Sequence, residues 1–567
     1  MSFIRVVPVL RTPAGIDAFD YAVPDGSAYE VGDLVWVPFR RRKTPALVIE
    51  NLKTSPYAHK AQDVIGSYAG IRLPEASVRL LHWLCEWTFA SKSTIALAWL
   101  RALPKRPADI GAIRRRETKG RMDATWTTDA DRSLIEAAKN AGGRVLVLTP
   151  WLASAKRLAN EIPGSSLLLA EQANGLFFER WTNWASKPAG ALITTRVGSW
   201  LSPIAETVLL HLPEQDDHKQ DELNPRYDAR RIAAWCAQHA GVEVRAFGVT
   251  PPLASDEPAP DLELPYEIAV RNPKGRSPIP MVQADVLNTI RDHEGPRVIV
   301  HPVRGVSARF TCRDCGWQAV CERCDFPLSQ EIDAAACRRC GWTGSPPLSC
   351  LSCGGFDLGK SIPGIERLKS AWAKYEANIP VEWRTLVVDE FEAVLPENAI
   401  VVVTDASFLS GAVEDIRRDE RLVAAVRHLA SRVQAAGGRL ILQASEHHAA
   451  LLETCVTSDG YRAYQQRERA LRESFGYPPA VRLVKILVDG TEQDARRWME
   501  IAGPSVKMAD GELRGPYAVA YRPRSRKARW AVHAVFPKRL EHKRLITVFQ
   551  PLSKDVIIDL DPIAFFR

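Results

Sequence analysis

The spacing of apolar residues changes several times along the chain, and each change marks a different kind of element. Residues 3–9 and 31–39 (VGDLVWVPF) alternate apolar with small or polar positions and are punctuated by Pro24, Gly26 and Gly32, which predicts a small β-rich unit. From Pro74 to about Leu103 the apolar residues recur at helical spacing. Pro104, Pro107 and the run Arg114, Arg115, Arg116 then read as a linker, with a first boundary near residue 105. Between about 127 and 250, helix-like segments alternate with the short apolar strands RVLVLTP (144–150), SLLLA (166–170), ALITT (191–195), TVLLHLP (207–213) and EVRAFGVT (243–250), the signature of a parallel α/β sheet. The theme resumes in VIVHPV (298–303), breaks at a cysteine-rich block, and continues through TLVVDE (385–390), AIVVVTDA (399–406) and RLILQA (439–444). This order predicts two α/β lobes with an insertion in the second. Residues 480–567, with VRLVKILVDG, WAVHAVF and a helix near 493–509, form a small α+β module.

Composition narrows the class. At 567 residues, 46% apolar and 25% charged, the chain has the balance of three to five ordinary globular domains by the prior of roughly 100 to 200 residues each. A formal charge of +8, from 75 Lys and Arg against 67 Asp and Glu, is too mild to diagnose a polyanion partner by itself. No run approaches the roughly 18 apolar residues of a membrane span, and MSFIRVVPVLR carries an arginine inside its short apolar run, unlike a signal peptide. The expectation is a soluble cytoplasmic protein without internal repeats.

Eight of the eleven cysteines fall between 312 and 353 as four CxxC pairs: Cys312 with Cys315, Cys321 with Cys324, Cys337 with Cys340, and Cys350 with Cys353. Each knuckle preorganises two thiolates for a tetrahedral ion, so four of them supply two four-cysteine sites, and the spacing permits more than one pairing. A disulfide framework is disfavoured in a cysteine-poor chain without a secretory start. Closed thiolate sites leave no open coordination position, which makes the metal structural. Cys85, Cys236 and Cys455 stand alone in apolar helical contexts, as buried small hydrophobes do.

Between Tyr521 and Arg544 lie nine basic residues, Arg522, Arg524, Arg526, Lys527, Arg529, Lys538, Arg539, Lys543 and Arg544, against the single acid Glu541. Tyr521 and Trp530 are interleaved with them, which suits phosphate contacts combined with base stacking. Arg40, Arg41, Arg42 and Lys43 form a second cluster at the end of a predicted strand. Two separated basic patches favour a nucleic-acid partner over a merely solvated face.

Four stretches carry a family resemblance: AFDYAVPDG with VGDLVWVPF; the CRDCGWQAVCERCDFPL, CRRCGW and CLSCGG block; GYRAYQQRERALRESFGYPP; and the terminal DLDP. With them the chain resembles the PriA family of bacterial primosomal replication-restart proteins along nearly its whole length. The resemblance implies two RecA-like superfamily 2 helicase lobes, a β-rich N-terminal domain that binds the 3′ end of a nascent DNA strand, two zinc ions per chain and a small α+β C-terminal DNA-binding domain. It assigns residues 1–105 to the 3′-end-binding domain, 106–126 to a basic linker, 127–270 to lobe 1 and 271–310 to the start of lobe 2. The cysteine region is then 311–356, the rest of lobe 2 is 357–476, and the C-terminal domain is 477–567. Phe19, Asp20 and Tyr21 match the family's 3′-end pocket, with Gly32 and Lys60 nearby; an aromatic, a carboxylate and a cation suit a stacked base, a 3′-hydroxyl and a phosphate. By the same precedent Cys312, Cys315, Cys350 and Cys353 hold one zinc, and Cys321, Cys324, Cys337 and Cys340 the other. Arg522, Arg524, Arg526, Lys527, Arg529 and Trp530 are the C-terminal DNA contacts expected.

The chain departs from the family where ATP should bind. No GxxxxGK[ST] is present, and the register of RVLVLTP places that element on Ala124, Thr125, Trp126, Thr127 and Thr128, with neither glycine nor lysine to cradle a phosphate. A KQ and RYxAR signature survives as Lys219, Gln220, Arg226, Tyr227, Ala229 and Arg230, and counting back from it puts His211, Leu212, Pro213 and Glu214 where Mg²⁺-binding acids belong. Asp216 and Asp217, a few residues on, read as a solvated loop. The GSATP-type motif has become Phe247, Gly248, Val249, Thr250 and Pro251, and the arginine-bearing region HLASRVQAAGGR keeps Arg432. The interval between the first domain and lobe 1 is also too short for a winged helix.

These readings favour a helicase-inactive member of the family: a monomer, cytoplasmic and nucleoid-associated, acting in replication restart and DNA repair. It would recognise stalled forks and D-loops with a 3′ end and help assemble the primosome, with single-stranded-DNA-binding protein and the replicative helicase loading machinery as partners implied by the family, and without ATP. The alternatives are an active ATP-dependent 3′ to 5′ helicase with an unconventional nucleotide site, and a zinc-ribbon protein that binds RNA or only proteins.

Overall fold

The computed structural model describes residues 2–12, 16–101, 103–116, 118–221, 223–263, 266–270, 277–305, 310–312, 317–323, 327–331, 334–337, 341–360, 362–410, 416–519, 529–553 and 556–565. The N-terminal region is an antiparallel sheet of five strands in the order Phe19–Val23, Ser2–Pro8, Arg42–Leu52, Asp33–Phe39, Gly66–Arg72. The sheet curls almost into a barrel. Tyr21 donates its hydroxyl to the Pro38 carbonyl at 2.9 Å, Phe19 meets Phe39 edge-on at 4.9 Å, and Ala22 pairs with Asp63 ahead of the far edge strand. The helical stretch becomes two helices, Glu75–Thr88 and Lys92–Trp99, broken by Phe89 in the left-handed region at φ 53°. Ser91 caps the second by accepting from Thr94 N.

One hairpin connection in this sheet is strained. The register pairs Phe39 with Arg42, so the turn is Arg40 and Arg41 alone, with φ of 48° and 61°. Positive φ at both central residues is the type I′ turn that matches the twist of the strands, and it favours Asn-Gly. For L-residues other than glycine and asparagine it costs about 1–2 kcal/mol each.

Two parallel sheets follow. The first has the order Arg121–Trp126, Glu243–Gly248, Thr207–His211, Arg144–Leu148, Gly190–Thr194, Ser166–Leu168. The second has the order Tyr266–Val270, Arg439–Ala444, Ile400–Val403, Arg297–Val300, Glu382–Arg384. The central strands are buried along their length and read as continuous apolar runs, as parallel strands covered on both faces must. Three expectations change here. The end of the expected linker, residues 121–126, is an edge strand of the first sheet. Residues 266–270, expected in lobe 1, pair in the second sheet. TLVVDE is not a strand: the strand is Glu382–Arg384, and Val388–Phe391 turns helical, with Glu390 accepting from the Thr385 backbone and hydroxyl, both at 2.7 Å.

Among its described residues the cysteine-rich stretch carries short pairings, Phe310–Cys312 with Leu358–Lys360 and a three-stranded set, Ser329–Gln330, Ala335–Ala336 and Thr343–Gly344. The C-terminal module is a four-stranded antiparallel sheet, Glu512–Val519, Arg529–Pro537, Val481–Asp489, Val556–Leu560, packed against helices Glu492–Met508 and His542–Phe549. The longer helix starts with a reciprocal capping box between Thr491 and Asp494.

The parts share their cores. One buried cluster joins Leu34, Tyr68, Leu80 and Trp99 of the N-terminal domain to Leu146, Trp181, Trp200 and Ile232 of the first α/β unit. Another runs from Leu134, Val147 and Leu209 in the first unit to Val300, Val401 and Leu422 in the second. Cys236 and Cys455 are fully buried and Cys85 is half-buried, so all three pack as small apolar groups. No helix among the described residues is long and apolar enough to cross a membrane.

Candidate nucleic-acid interface and metal centre

Strand alternation splits the FDY triplet between two faces. Tyr21 is buried in the barrel core with Phe19 packed beside it, half-buried. Asp20 faces the other way, opposite Arg5 in the register. Its carboxylate accepts from Arg5 Nε at 2.9 Å, Arg5 Nη2 at 3.3 Å and Ser55 Oγ at 2.7 Å. Burial works against this charge, but the hydrogen bonds from Arg5 and Ser55 win and hold the carboxyl below its ordinary value. Ser55 opens the segment that turns through Ala58–Lys60 and leaves Lys60 exposed on the surface.

Gly32 precedes the strand Asp33–Phe39 and donates its N–H to the Val48 carbonyl at 2.9 Å; Val48 pairs with Val6, and Val6 with Phe19, so the register sets Gly32 level with Phe19 across the sheet. Its φ is +97°, and a Cβ there would stand 2.2 Å from the Leu73 carbonyl oxygen, so its glycine serves close backbone packing. Arg5 and Ser55, which orient Asp20, are not legible in the FDY motif because their proximity depends on strand pairing.

The positions that the resemblance would assign to a nucleotide site hold side-chain networks. After the strand Arg121–Trp126, Asp129 caps the helix Ala130–Asn140, and the first turn of that helix carries Asp131. The Asp131 carboxylate accepts from His211 Nε2 at 2.6 Å and pairs with Arg157. His211, fully buried, makes its other ring contact to Thr149 Oγ1 at 3.0 Å. Burial opposes the Asp131 charge, yet His211 and Arg157 hold its carboxyl far below the carboxylate range. A helix N-terminus that would attract phosphate is thus already matched to a protein carboxylate.

Glu214 turns inward and accepts from the backbone N–H of Val249 and Thr250, at 2.9 and 3.2 Å, and burial pushes its carboxyl up. Asp216 is not a solvated loop residue. It pairs with Arg417 at 2.9 Å and Arg421 at 3.1 Å, across the junction of the two α/β units. Asp217 stays exposed and accepts from Trp151 Nε1 at 2.9 Å. Arg432 donates to the carbonyls of Phe391 and Ala393, both at 2.6 Å, beside Glu392. Burial works against the Glu392 charge, but His428, 3.0 Å away, and Arg432 bring its carboxyl down to about 2.

The surviving KQ and RYxAR signature has a structural task. Lys219 Nζ donates to Asp559 Oδ1 at 2.6 Å, the Leu560 carbonyl at 2.8 Å and the Asp561 carbonyl at 2.7 Å, and Arg226 reaches Asp559 Oδ2 at 3.4 Å. Arg230 is fixed by Asp228 and props the loop through the Pro213 and Gln215 carbonyls at 2.9 and 3.2 Å. The terminal DLDP is therefore the other half of this signature, a pairing across some 340 residues that sequence spacing does not display.

Among the described cysteines, the sulfurs of Cys312, Cys350 and Cys353 lie within 4.8 Å of one another, with Cys312 and Cys353 3.6 Å apart. Tetrahedral bonds of 2.3 Å to zinc separate two sulfurs by about 3.8 Å, whereas a disulfide holds them near 2.05 Å, so this spacing fits metal ligation. Backbone amides of Ser352 and Cys353 point at Cys350 Sγ at 3.3 and 3.4 Å, and Arg323 N points at Cys321 Sγ at 3.4 Å, a polarity suited to thiolates. Cys312, Cys337 and Cys350 each donate their N–H to the carbonyl five residues on, at 2.7 to 2.8 Å, so three knuckles share one turn. Cys321 and Cys337 are buried together with Phe310, Leu328 and Ala335. Cys315, Cys324 and Cys340 lie outside the described residues, as do Arg522, Arg524, Arg526 and Lys527. Arg529 is nearly buried and bound by both oxygens of Asp489 across the strand pair, and Trp530 packs against the C-terminal core. Arg529 is thus engaged by Asp489, while Trp530 remains part-exposed.

Residues 9–101, which hold most of the curled N-terminal barrel and its two helices, match a family profile described as a 3′DNA-binding domain (3′BD), the PriA type. The rest of the chain is similar to the same proteins. It is 22% identical over 409 residues to the replication restart protein PriA of Haemophilus influenzae, covering 62% of this chain and 55% of that protein. It is 27% identical over 239 residues to a probable replication restart protein PriA of Deinococcus radiodurans, covering 38% and 26%. A match to the PriA of Rickettsia felis, at 19% identity, covers 99% of this chain and all of that protein. The chain thus spans about half or less of the first two relatives and the whole of the third, and its similarity is to replication restart proteins of the PriA type.

Proposed function

We propose that the chain is a replication-restart protein that recognises stalled forks and D-loops through a DNA 3′ end and helps assemble the primosome without ATP-driven unwinding. The observation that carries this reading is the replacement of a phosphate cradle by Asp131, His211 and Arg157. A γ-phosphate brought to that helix terminus would meet a carboxylate instead of a lysine and backbone amides, with no acid at the strand end to hold Mg²⁺. The core shared between the α/β units supports the same conclusion, because a motor needs a cleft that opens and closes. On this reading the units are two degenerate RecA-like superfamily 2 lobes, kept for their shape.

The cysteine region then binds two zinc ions, Cys312, Cys315, Cys350 and Cys353 holding one and Cys321, Cys324, Cys337 and Cys340 the other. Closed thiolate shells build a rigid surface and supply no reactive water. Phe19, Asp20 and Lys60 receive the 3′ terminus. The basic segment 522–527 adds sequence-independent phosphate contacts. Single-stranded-DNA-binding protein and the replicative helicase loading machinery are the partners of a monomer working at the nucleoid.

The test is ATP turnover by metal-loaded protein, with and without saturating forked DNA carrying a 3′ end, in a preparation shown to bind that fork. We expect fork binding with no stimulated turnover. Turnover near one per second or faster, retained through purification and lost on Asp131→Ala, would establish the helicase reading instead.

A further inference from the structure

The strained hairpin of the N-terminal barrel stands beside the strand that begins with Phe19. Phe39, the residue before the turn, touches the Phe19 ring edge-on at 4.9 Å, and the Arg40 guanidinium lies over the Phe39 ring at 5.6 Å. On the other side of the turn, Lys43 sits over Trp36 at 4.5 Å. Arg40, Arg41, Arg42 and Lys43 are all exposed, and among the described residues none of the four has a carboxylate partner.

The other sheet arginines of this domain are treated differently. Arg5 is shared by Asp20 and Glu50, and Arg72 by Glu30 and Asp33. A domain that neutralises its remaining sheet arginines, yet gathers four unpaired cations at one tip, leaves that tip for an anion. The two residues of the turn are also ones for which its geometry is unfavourable, where Asn-Gly would relieve the strain, so the charge is retained against the local preference.

We infer that this hairpin is a phosphate clamp, in which Arg40 and Arg41 hold two consecutive phosphates of the DNA strand whose 3′ end is received beside Phe19. This rests on the end-binding reading given above. The ring contacts through Phe39 and Trp36 fix the stems of Arg40 and Lys43, so the cations are held close to the terminal nucleotide. Consecutive residues present two guanidinium groups to one backbone without reading its sequence.

The experiment measures binding of the full chain to a labelled fork with a single-stranded 3′ end across a salt series. Arg40→Asn/Arg41→Gly supplies the residues the turn prefers, so it keeps the fold while removing both charges. Each phosphate contact on a single strand contributes about 0.7 to the slope of log affinity against log salt. Loss of two contacts lowers the slope by about 1.4, which is roughly tenfold in affinity at 0.15 M salt. Arg40→Lys/Arg41→Lys should keep most of the slope.

Wild-type protein is also compared on forks ending in a 3′-hydroxyl and a 3′-phosphate block. If it prefers the hydroxyl end while Arg40→Asn/Arg41→Gly binds with unchanged affinity and slope, the clamp is wrong and the end-binding reading stands. If the wild type does not distinguish the ends, or does not bind, both fall. A Lys/Lys variant as weak as the Asn/Gly one would overturn the assignment to charge.

Discussion

Removing the Asp559 carboxylate should detach the C-terminal domain from the first α/β unit. Its side chain is fully buried, and it is bound by Lys219 and Arg226, each 3% exposed. Lys485, its cross-strand partner, is buried as well and donates to the Ala564 carbonyl at 2.6 Å; burial pushes its amine down to about 8. Three cations therefore surround one buried carboxylate. Two terms compete. Deleting Asp559 relieves the cost of burying a carboxylate, but it strands Lys219 and Arg226 without their counterion, and breaking one side of a buried pair costs about 3–5 kcal/mol.

Asp559→Asn keeps an acceptor for Lys219 and should lose less, about 2 kcal/mol, near the worth of a hydrogen bond to a charged group. A protein of several domains does not unfold in one step, so a global midpoint is the wrong readout. Hydrogen exchange in peptides spanning 215–231 and 556–565 reads the local opening. At 1.4 kcal/mol per tenfold, Asp559→Ala should accelerate exchange there by about 100-fold or more, up to the rate of local unfolding. Lys219→Met with Asp559→Leu should cost less than the sum of its single changes. Unchanged protection in Asp559→Ala would refute the role given to its pairing with Lys219 and Arg226.

Acid should weaken the fold well above the carboxylate range. His218 and His533 are buried, donate to the His211 and Phe565 carbonyls, each at 2.8 Å, and have imidazoles pushed down to about 4 chiefly by burial. Unfolded, both bind protons near 6.5, so their contribution is complete above that pH and falls toward pH 4, by about 2 kcal/mol each at pH 5. Equal hydrogen-exchange protection around His218 and His533 at pH 7 and pH 5, after correction for the intrinsic exchange rate, would contradict this, and His533→Asn should flatten the dependence. Cys350→Ser should lose one metal per chain and open the segment around it to protease, because metal and local fold are coupled there. Metal content that stays at the wild-type value would disprove the ligand set.

Much of the architecture follows from local pattern. Apolar runs such as 144–148, 207–211 and 400–403 are strands because covered parallel sheets admit no polar face. The four CxxC pairs are legible as candidate metal-binding turns because spacing alone places two sulfurs together. The absence of GxxxxGK[ST] is visible for the same reason, since that motif is contiguous.

What the chain does with the altered positions was decided by contacts between distant segments. Asp216 reads as a loop acid until folding brings Arg417 and Arg421 to it, and Arg529 reads as a DNA contact until the strand register sets it against Asp489. The FDY triplet looks like one pocket in sequence, but period-two alternation sends Asp20 to Arg5 and Ser55 while Tyr21 enters the core. Lys219 and Asp559 define each other only once the chain has closed. Periodicity and short motifs are encoded by neighbours along the chain, so sequence determined most of the elements, the CxxC spacing and the absence of a GxxxxGK[ST] motif. Charge compensation depends on which groups are desolvated together, and that is settled by the tertiary structure.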